Sequence, residues 1–292
     1  MATPKARAYK SASQQPHFIL ALSQIVIFLF LFVDDIVAVS KPYGLAMFGK
    51  DSEHSVEKYL DPLTEFLKCQ SLHQVHRLDK ITSGILLLAK TKESHLYLTE
   101  KFRKREIQKS YWTIVNGTPQ PSEGRINIPL CEAMVGDRFR ITLRPGNKGH
   151  KSKLKKASVS MPAVTEYATL SSRGNRALLD VSPVTGFKHQ IRVHLGLGLG
   201  CPVLGDHKYS SISFDGKPQK VHGDILERLG VRESRSRDLP TLLHAKRVII
   251  PHPEVDGKNI IIESKLPFYF NRIMKALLLL PKAYRVQDIR RG

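Results

Sequence analysis

This chain is poor in cysteine and short of acid relative to base. Its three cysteines, Cys69, Cys131 and Cys201, are widely separated and form no CxxC pair. That excludes a disulfide framework and argues for a reducing compartment over secretion. His73 and His76 stand at a ligand-like spacing, but no further Cys or His cluster completes a site, so a metal is not expected. Asp plus Glu number 26 against 46 Lys plus Arg, a formal charge of +20. Such an excess suits a polyanionic partner, nucleic acid first and an anionic membrane second. The plain alternative is a basic protein kept soluble by its charge. No internal repeat is visible.

The 292 residues are 41% hydrophobic, enough for one substantial core or two small ones. Residues 1–17 carry Lys5, Arg7 and Lys10 and no acid, which resembles an organelle transit peptide. Residues 18–33 are apolar but short of the about 20 residues a spanning helix wants. A targeting segment, a true anchor and an extended first strand all remain open there. The expected organisation is therefore an unassigned N-terminus over 1–33, one domain over 34–280 and a basic tail over 281–292.

Within the domain, Ile36–Val39 reads as a strand ended by the turn at Pro42-Tyr43-Gly44. Ser55–Phe66 reads as a helix with Val56, Tyr59, Leu60 and Leu63 at helical spacing. Ser94–Arg105 reads as a second helix. Its end gathers Lys101, Arg103, Lys104 and Arg105, either a solvated helix terminus or a phosphate contact. Lys109–Val115 reads as a strand, and Val164–Leu170 with Ala177–Val181 as a hairpin. Residues 146–160 hold five lysines and no acid, which predicts a loop, solvated or clamping a nucleic-acid backbone. A short helix or turn is expected from Gln190. Residues 211–240 read as a polar insertion or linker. Val248–Pro251 and Asn259–Ser264 read as closing strands, and Leu266–Leu280 as a final helix. Many short strands with few helices predict an α+β domain on a mostly antiparallel sheet.

One stretch organises the rest: His76-Arg77-Leu78-Asp79-Lys80-Ile81-Thr82-Ser83-Gly84, followed by the apolar run Ile85–Ala89. That run suits a strand buried on both faces. Gly84 stands at the join, where a tight turn or close backbone approach favours glycine. Asp79 is thus a carboxylate on a loop anchored by a buried strand. Read locally, an Asp-Lys turn with a surface ion pair is the favoured alternative, because most short motifs arise by accident.

This stretch resembles the signature of the RluA-type pseudouridine synthases, His-Arg-Leu-Asp-x-x-Thr-Ser-Gly. Two further stretches resemble the family in the expected order. They are Lys109-Ser110-Tyr111-Trp112-Thr113-Ile114-Val115 and Thr185-Gly186-Phe187-Lys188-His189-Gln190-Ile191-Arg192-Val193-His194-Leu195. The second continues into Gly205-Asp206-His207-Lys208-Tyr209. Weaker matches are Ser40-Lys41-Pro42-Tyr43-Gly44-Leu45 and Leu243-His244-Ala245. The likeness runs from about Asp34 to Phe270, and the chain is similar to organelle (mitochondrial) members.

The resemblance implies a mixed, mostly antiparallel sheet with a central RNA cleft. It implies isomerisation of specific uridines in structured RNA, whether rRNA, tRNA or mRNA, with Asp79 as the catalytic carboxylate. It leaves open whether that carboxylate attacks C1′ or assists sugar deprotonation. Arg192 would pair with Asp79, since a nearby opposite charge favours the ionised form. Tyr111 would stack on the base, Arg77 would hold the flipped-out arrangement, and Lys109 and His189 would line the site. The reaction loses no atom, so no cofactor is implied. RNA is the implied partner, with no DNA, no obligate membrane and a monomeric protein. The mitochondrion is the implied location, with cytoplasm or nucleus the alternative. Phe187 stands where the motif often has Arg, and Thr113 where Ala is usual. The competing readings are an RNA-binding or ribosome-assembly factor on the same fold, a membrane-surface protein, and a hydrolase pairing Asp79 with Asp180 or Asp206.

Overall fold

The apolar run after Gly84 is the middle of a large sheet. The computed structural model of the protein describes residues 30–31, 35–49, 54–135, 138–144, 157–210 and 219–281. The expectations for the rest of 1–33, for the lysines of 148–156 and for the tail beyond 281 lie outside the described residues.

The strands are β1 (Phe30–Leu31), β2 (Ile36–Lys41), β3 (His73–Gln74), β4 (Ser83–Ala89), β5 (Gln108–Asn116) and β6 (Glu123–Asn127). They continue with β7 (Leu130–Val135), β8 (Arg138–Leu143), β9 (Val164–Ser172), β10 (Arg176–Pro183), β11 (Leu243–Pro251) and β12 (Asn259–Glu263). The helices are α1 (Val56–Phe66), α2 (Lys92–Arg103), α3 (Gln190–Val193), α4 (Gly223–Leu229) and α5 (Phe268–Ala276). A π-helical turn over His194–Gly198 extends α3, and a 3₁₀ turn spans Glu233–Asp238.

The main sheet runs β1-β2-β4-β11-β5-β10-β9-β6, with β12 on β11 and β3 on β4. Its pairings are antiparallel except where β11 meets β4, His244 opposite Ser83 and Ala245 opposite Gly84. Strands β7 and β8 form a separate ribbon. The fold is α+β on a mixed, mostly antiparallel sheet.

Every residue of β4 is buried. Leu86 and Leu88 face one core layer with Tyr59 and Leu63 of α1. Ile85 and Leu87 face the other with Leu98 of α2 and Ile262 of β12. The period of two thus sends alternate side chains to opposite layers. Buried Ser55 caps α1 by accepting the Lys58 N–H, a cap worth about 1 kcal/mol.

Three expectations need correction. Residues 219–240 are not a linker: Ile225, Leu226 and Leu239 pack with Phe270 and Met274 of α5 in a core layer. Buried Arg176 ties this segment down by pairing with Asp224 and donating from Nε to the Leu277 carbonyl. Strands β6, β7 and β8 were not expected. The second and final helices are Lys92–Arg103 and Phe268–Ala276, because Thr91 caps α2 in a capping box and Pro267 starts α5.

Candidate active site

Asp79 lies in the turn between β3 and β4, closed by a hydrogen bond from the Thr82 N–H to the Asp79 carbonyl, 3.0 Å. The turn is tied from below. The Gly44 N–H donates to the Lys80 carbonyl, 2.9 Å. The buried Lys41 ammonium donates to the carbonyls of Leu45, Pro42 and Lys80 at 2.9, 3.0 and 3.3 Å. Burial pulls the Lys41 pKa down to about 7, with the Asp79 charge opposing. At the strand end, an added Cβ on Gly84 would lie 2.3 Å from the Ala245 carbonyl oxygen, and φ is +109°. Only glycine lets β4 and β11 approach so closely there.

The opposite wall is the segment Thr185–Leu195. Gln190 fixes it: its carbonyl accepts from the Thr185 hydroxyl and the Phe187 N–H, and its amide donates to the Val164 carbonyl and Thr165. His194 anchors the next turn, with Nδ1 2.8 Å from Thr165 Oγ1 and Nε2 2.9 Å from the Ile128 carbonyl. Burial lowers its pKa. So placed, Arg192 reaches Asp79 Oδ2 from Nη1 at 3.3 Å. Its Nε and Nη2 donate to Asp206 Oδ2 and Oδ1 at 2.6 and 2.9 Å. Burial opposes the Arg192 charge, but the Asp206 hydrogen bonds and the charges of Asp206 and Asp79 outweigh it and raise its pKa.

His189 precedes α3 in the left-handed region, φ +57°. Its Nδ1 lies 2.6 Å from the Tyr209 hydroxyl and its Nε2 3.8 Å from Asp79 Oδ1. Burial and the neighbouring cations Arg192, Lys208 and Lys188 hold its pKa down to about 3, so the ring is neutral.

Arg77, Asp79, Lys109, Tyr111, His189 and Arg192 all line one cavity of about 410 Å³. Arg77 is exposed at its mouth. Arg103 and Arg105 also border it, although Arg103 and Lys104 share Glu100 and Lys101 pairs with Glu106. Tyr111 sits on β5 with its hydroxyl kept protonated, first by burial and then by the Asp79 charge. Burial, with Arg105 adding, draws the Lys109 pKa down to about 8. The Asp79 side chain is 17% exposed against 5% for Arg192, so a ligand in the cavity meets the carboxylate before the guanidinium.

Some motif residues do other work. His76 Nε2 accepts the Leu87 N–H at 2.8 Å, and burial, chiefly, draws its pKa down to about 3. His73 bonds Ser71. Among the described residues no group of three or more His, Cys, Asp or Glu is placed to hold a metal. Phe187 lines the cavity and packs beside Leu130 and Tyr209. Thr113 is buried and donates to the Leu242 carbonyl. Asp180 accepts from Ser110, Asp206 grips Arg192, and neither lines the cavity. No second carboxylate from that pair therefore stands across from Asp79, as two-carboxylate glycoside hydrolysis needs.

A sequence model of the family described as RNA pseudouridylate synthase matches residues 35–196. The chain belongs to that family. It is 39% identical over 253 residues to rat "Pseudouridylate synthase RPUSD4, mitochondrial", covering 83% of this chain and 67% of the relative. It is 32% identical over 243 residues to "Ribosomal large subunit pseudouridine synthase C" of Rickettsia bellii, covering 82% and 68%. Among solved structures it superposes on human RNA Pseudouridylate Synthase Domain Containing 4 with a TM-score of 0.79 and 35% identity, covering 90% of this chain and 98% of that one. Human RNA Pseudouridylate Synthase Domain Containing 1, TM-score 0.63 and 21% identical, shares the fold. The protein is an RNA pseudouridine synthase of the RluA type, an isomerase acting on RNA.

Sequence reasoning did not find the positioning work of Asp206 and Tyr209, which lie behind Arg192 and His189. The motif Gly205-Asp206-His207-Lys208-Tyr209 was visible, but Asp206 was weighed only as a second hydrolytic carboxylate and Tyr209 was given no role; Asp206 instead grips Arg192.

Proposed function

We propose that this pseudouridine synthase isomerises specific uridines of structured mitochondrial RNA, with Asp79 as the catalytic carboxylate. The observation that carries the reading is the placement of Asp79. Its Oδ2 meets a buried arginine, its Oδ1 faces His189 Nε2 at 3.8 Å, and the residue lines the cavity. The relatives' mitochondrial and ribosomal names support the compartment and an RNA with defined structure.

The chemistry breaks C1′–N1 and forms C1′–C5. A proton leaves C5 and N1 ends up protonated, so atoms and charge balance without a redox step. The uridine is extruded from its stack, at a cost of a few kcal/mol. Tyr111 stacks on the base, a contact worth about 1–3 kcal/mol. Asp79 acts beside the sugar as an anion, and Arg192 holds it there. Arg77 at the mouth supports the displaced strand, and Lys109 faces a phosphate or a base oxygen. A monomer suffices, because the residues named come from one chain.

Pseudouridine mapping of mitochondrial RNA from cells lacking the protein, restored with wild type or with Asp79→Asn, tests this. Sites that return with wild type and not with Asp79→Asn support the reading. Asp79→Asn within tenfold of wild-type rate would overturn the role of Asp79. RNA binding with no site lost would favour an assembly factor instead.

A further inference from the structure

We infer that Tyr209 is a positioning residue that sets both partners of Asp79, holding His189 through its hydroxyl and Arg192 through its ring. The inference rests on Asp79 being the catalytic carboxylate and adds what fixes its orientation.

Tyr209 is fully buried and does two things at once. Its ring lies under the Arg192 guanidinium, 4.8 Å from centroid to Cζ, within cation–π range. Its hydroxyl lies 2.6 Å from His189 Nδ1. The other ring nitrogen of His189 faces Asp79 Oδ1. A carboxylate opposite Nε2 favours the tautomer protonated on Nε2. Nδ1 then accepts, and the Tyr209 O–H donates to it.

At 3.8 Å the Nε2–Oδ1 gap is longer than a hydrogen bond. Catalytic contacts are often this long without substrate and tighten in the complex. His189 holds this aim in a left-handed backbone conformation that a non-glycine residue adopts only when its surroundings impose it. The surroundings here are Tyr209 and the Gln190 latch.

Tyr209 is itself pinned from its own turn. Asp206 Oδ1 accepts the N–H groups of Lys208 and Tyr209 while it grips Arg192. Gly196 packs against this turn, and a Cβ there would lie 2.2 Å from the Tyr209 carbonyl oxygen. One turn therefore orients the arginine on Oδ2 and the imidazole facing Oδ1. It leaves the carboxylate a single direction in which to point.

The test is Tyr209→Phe, which keeps the ring under Arg192 and removes only the hydroxyl. Expected is a single-turnover rate lower by on the order of tenfold to a hundredfold with RNA affinity unchanged. His189→Ala should lower the rate as far, and adding Tyr209→Phe to it should cost nothing more. Nitrogen NMR of the His189 ring, which needs no activity, should show Nε2–H in wild type and a mixed tautomer in Tyr209→Phe. A wild-type rate in Tyr209→Phe, a loss in affinity alone, or losses that multiply in the double variant would each overturn the inference. Asp79→Asn run alongside separates the two readings. If it stays active, the role of Asp79 fails. If it is inactive while Tyr209→Phe is fully active, only this inference fails.

Discussion

Arg192 grips Asp206 with two nitrogens and touches Asp79 with one. The bidentate side is structural and the single contact faces the cavity. Both ends of the Arg192–Asp206 pair are buried, and removing Asp206 leaves the guanidinium only its single contact to Asp79, so the cost approaches that of a broken buried pair, about 3–5 kcal/mol. Asp206→Ala is expected to lose that much in urea unfolding at neutral pH. A loss below about 1 kcal/mol would mean that the pair contributes little beyond its packing.

Arg192→Lys keeps a cation and discards the fork that reaches two carboxylates at once. The single-turnover rate should fall on the order of a hundredfold while RNA affinity changes only severalfold. A sharp loss of affinity at a normal rate would make Arg192 a phosphate contact.

Gly84→Ala should be among the most damaging single-methyl changes in the chain. The added carbon meets the Ala245 backbone, and φ is +109° whatever the space. The two strands must separate where β4 leaves the Asp79 turn. Unfolding at markedly lower urea than wild type is expected, with little activity in what folds. Wild-type stability would show that the β4–β11 junction is plastic.

Gly84 also marks how far the sequence could be read. A glycine between a polar turn and an apolar run predicts a close approach, and β4 reads as buried because each of its residues is apolar or small. Helix α1 and the β9–β10 hairpin are legible because their apolar residues follow local periods. Strand β6 escapes because Ile126 is its one buried side chain among Glu123, Arg125 and Asn127. The segment from 219 to 240 looks like a linker by composition, yet Ile225, Leu226 and Gly230 already spell a short helix with a left-handed cap. At the site, Asp79, Tyr111 and Arg192 were legible through motif resemblance. The positioning work of Asp206 and Tyr209 was not legible, since it is done on other residues and depends on a turn that spacing cannot describe.

Lys109 gives a pH dependence with two opposite signs. Lys109 lies in the cavity wall. Burial first, and Arg105 second, bring its pKa from the ordinary 10.5 to about 8. The folded protein therefore binds fewer protons there than the unfolded chain between about 8 and 10.5, and this group adds stability as pH rises through that window. A bound RNA phosphate acts the other way, because it favours the charged amine. Above about pH 8 binding must recruit a proton, so affinity should fall as pH rises, by at most about one log unit per pH unit for one group. Titrating RNA affinity from about pH 7 to 9 for wild type and Lys109→Met, on the same RNA, subtracts the RNA's own ionisation. Wild type should weaken across that range and Lys109→Met should stay level at lower affinity. Parallel curves for the two proteins would place the phosphate away from Lys109.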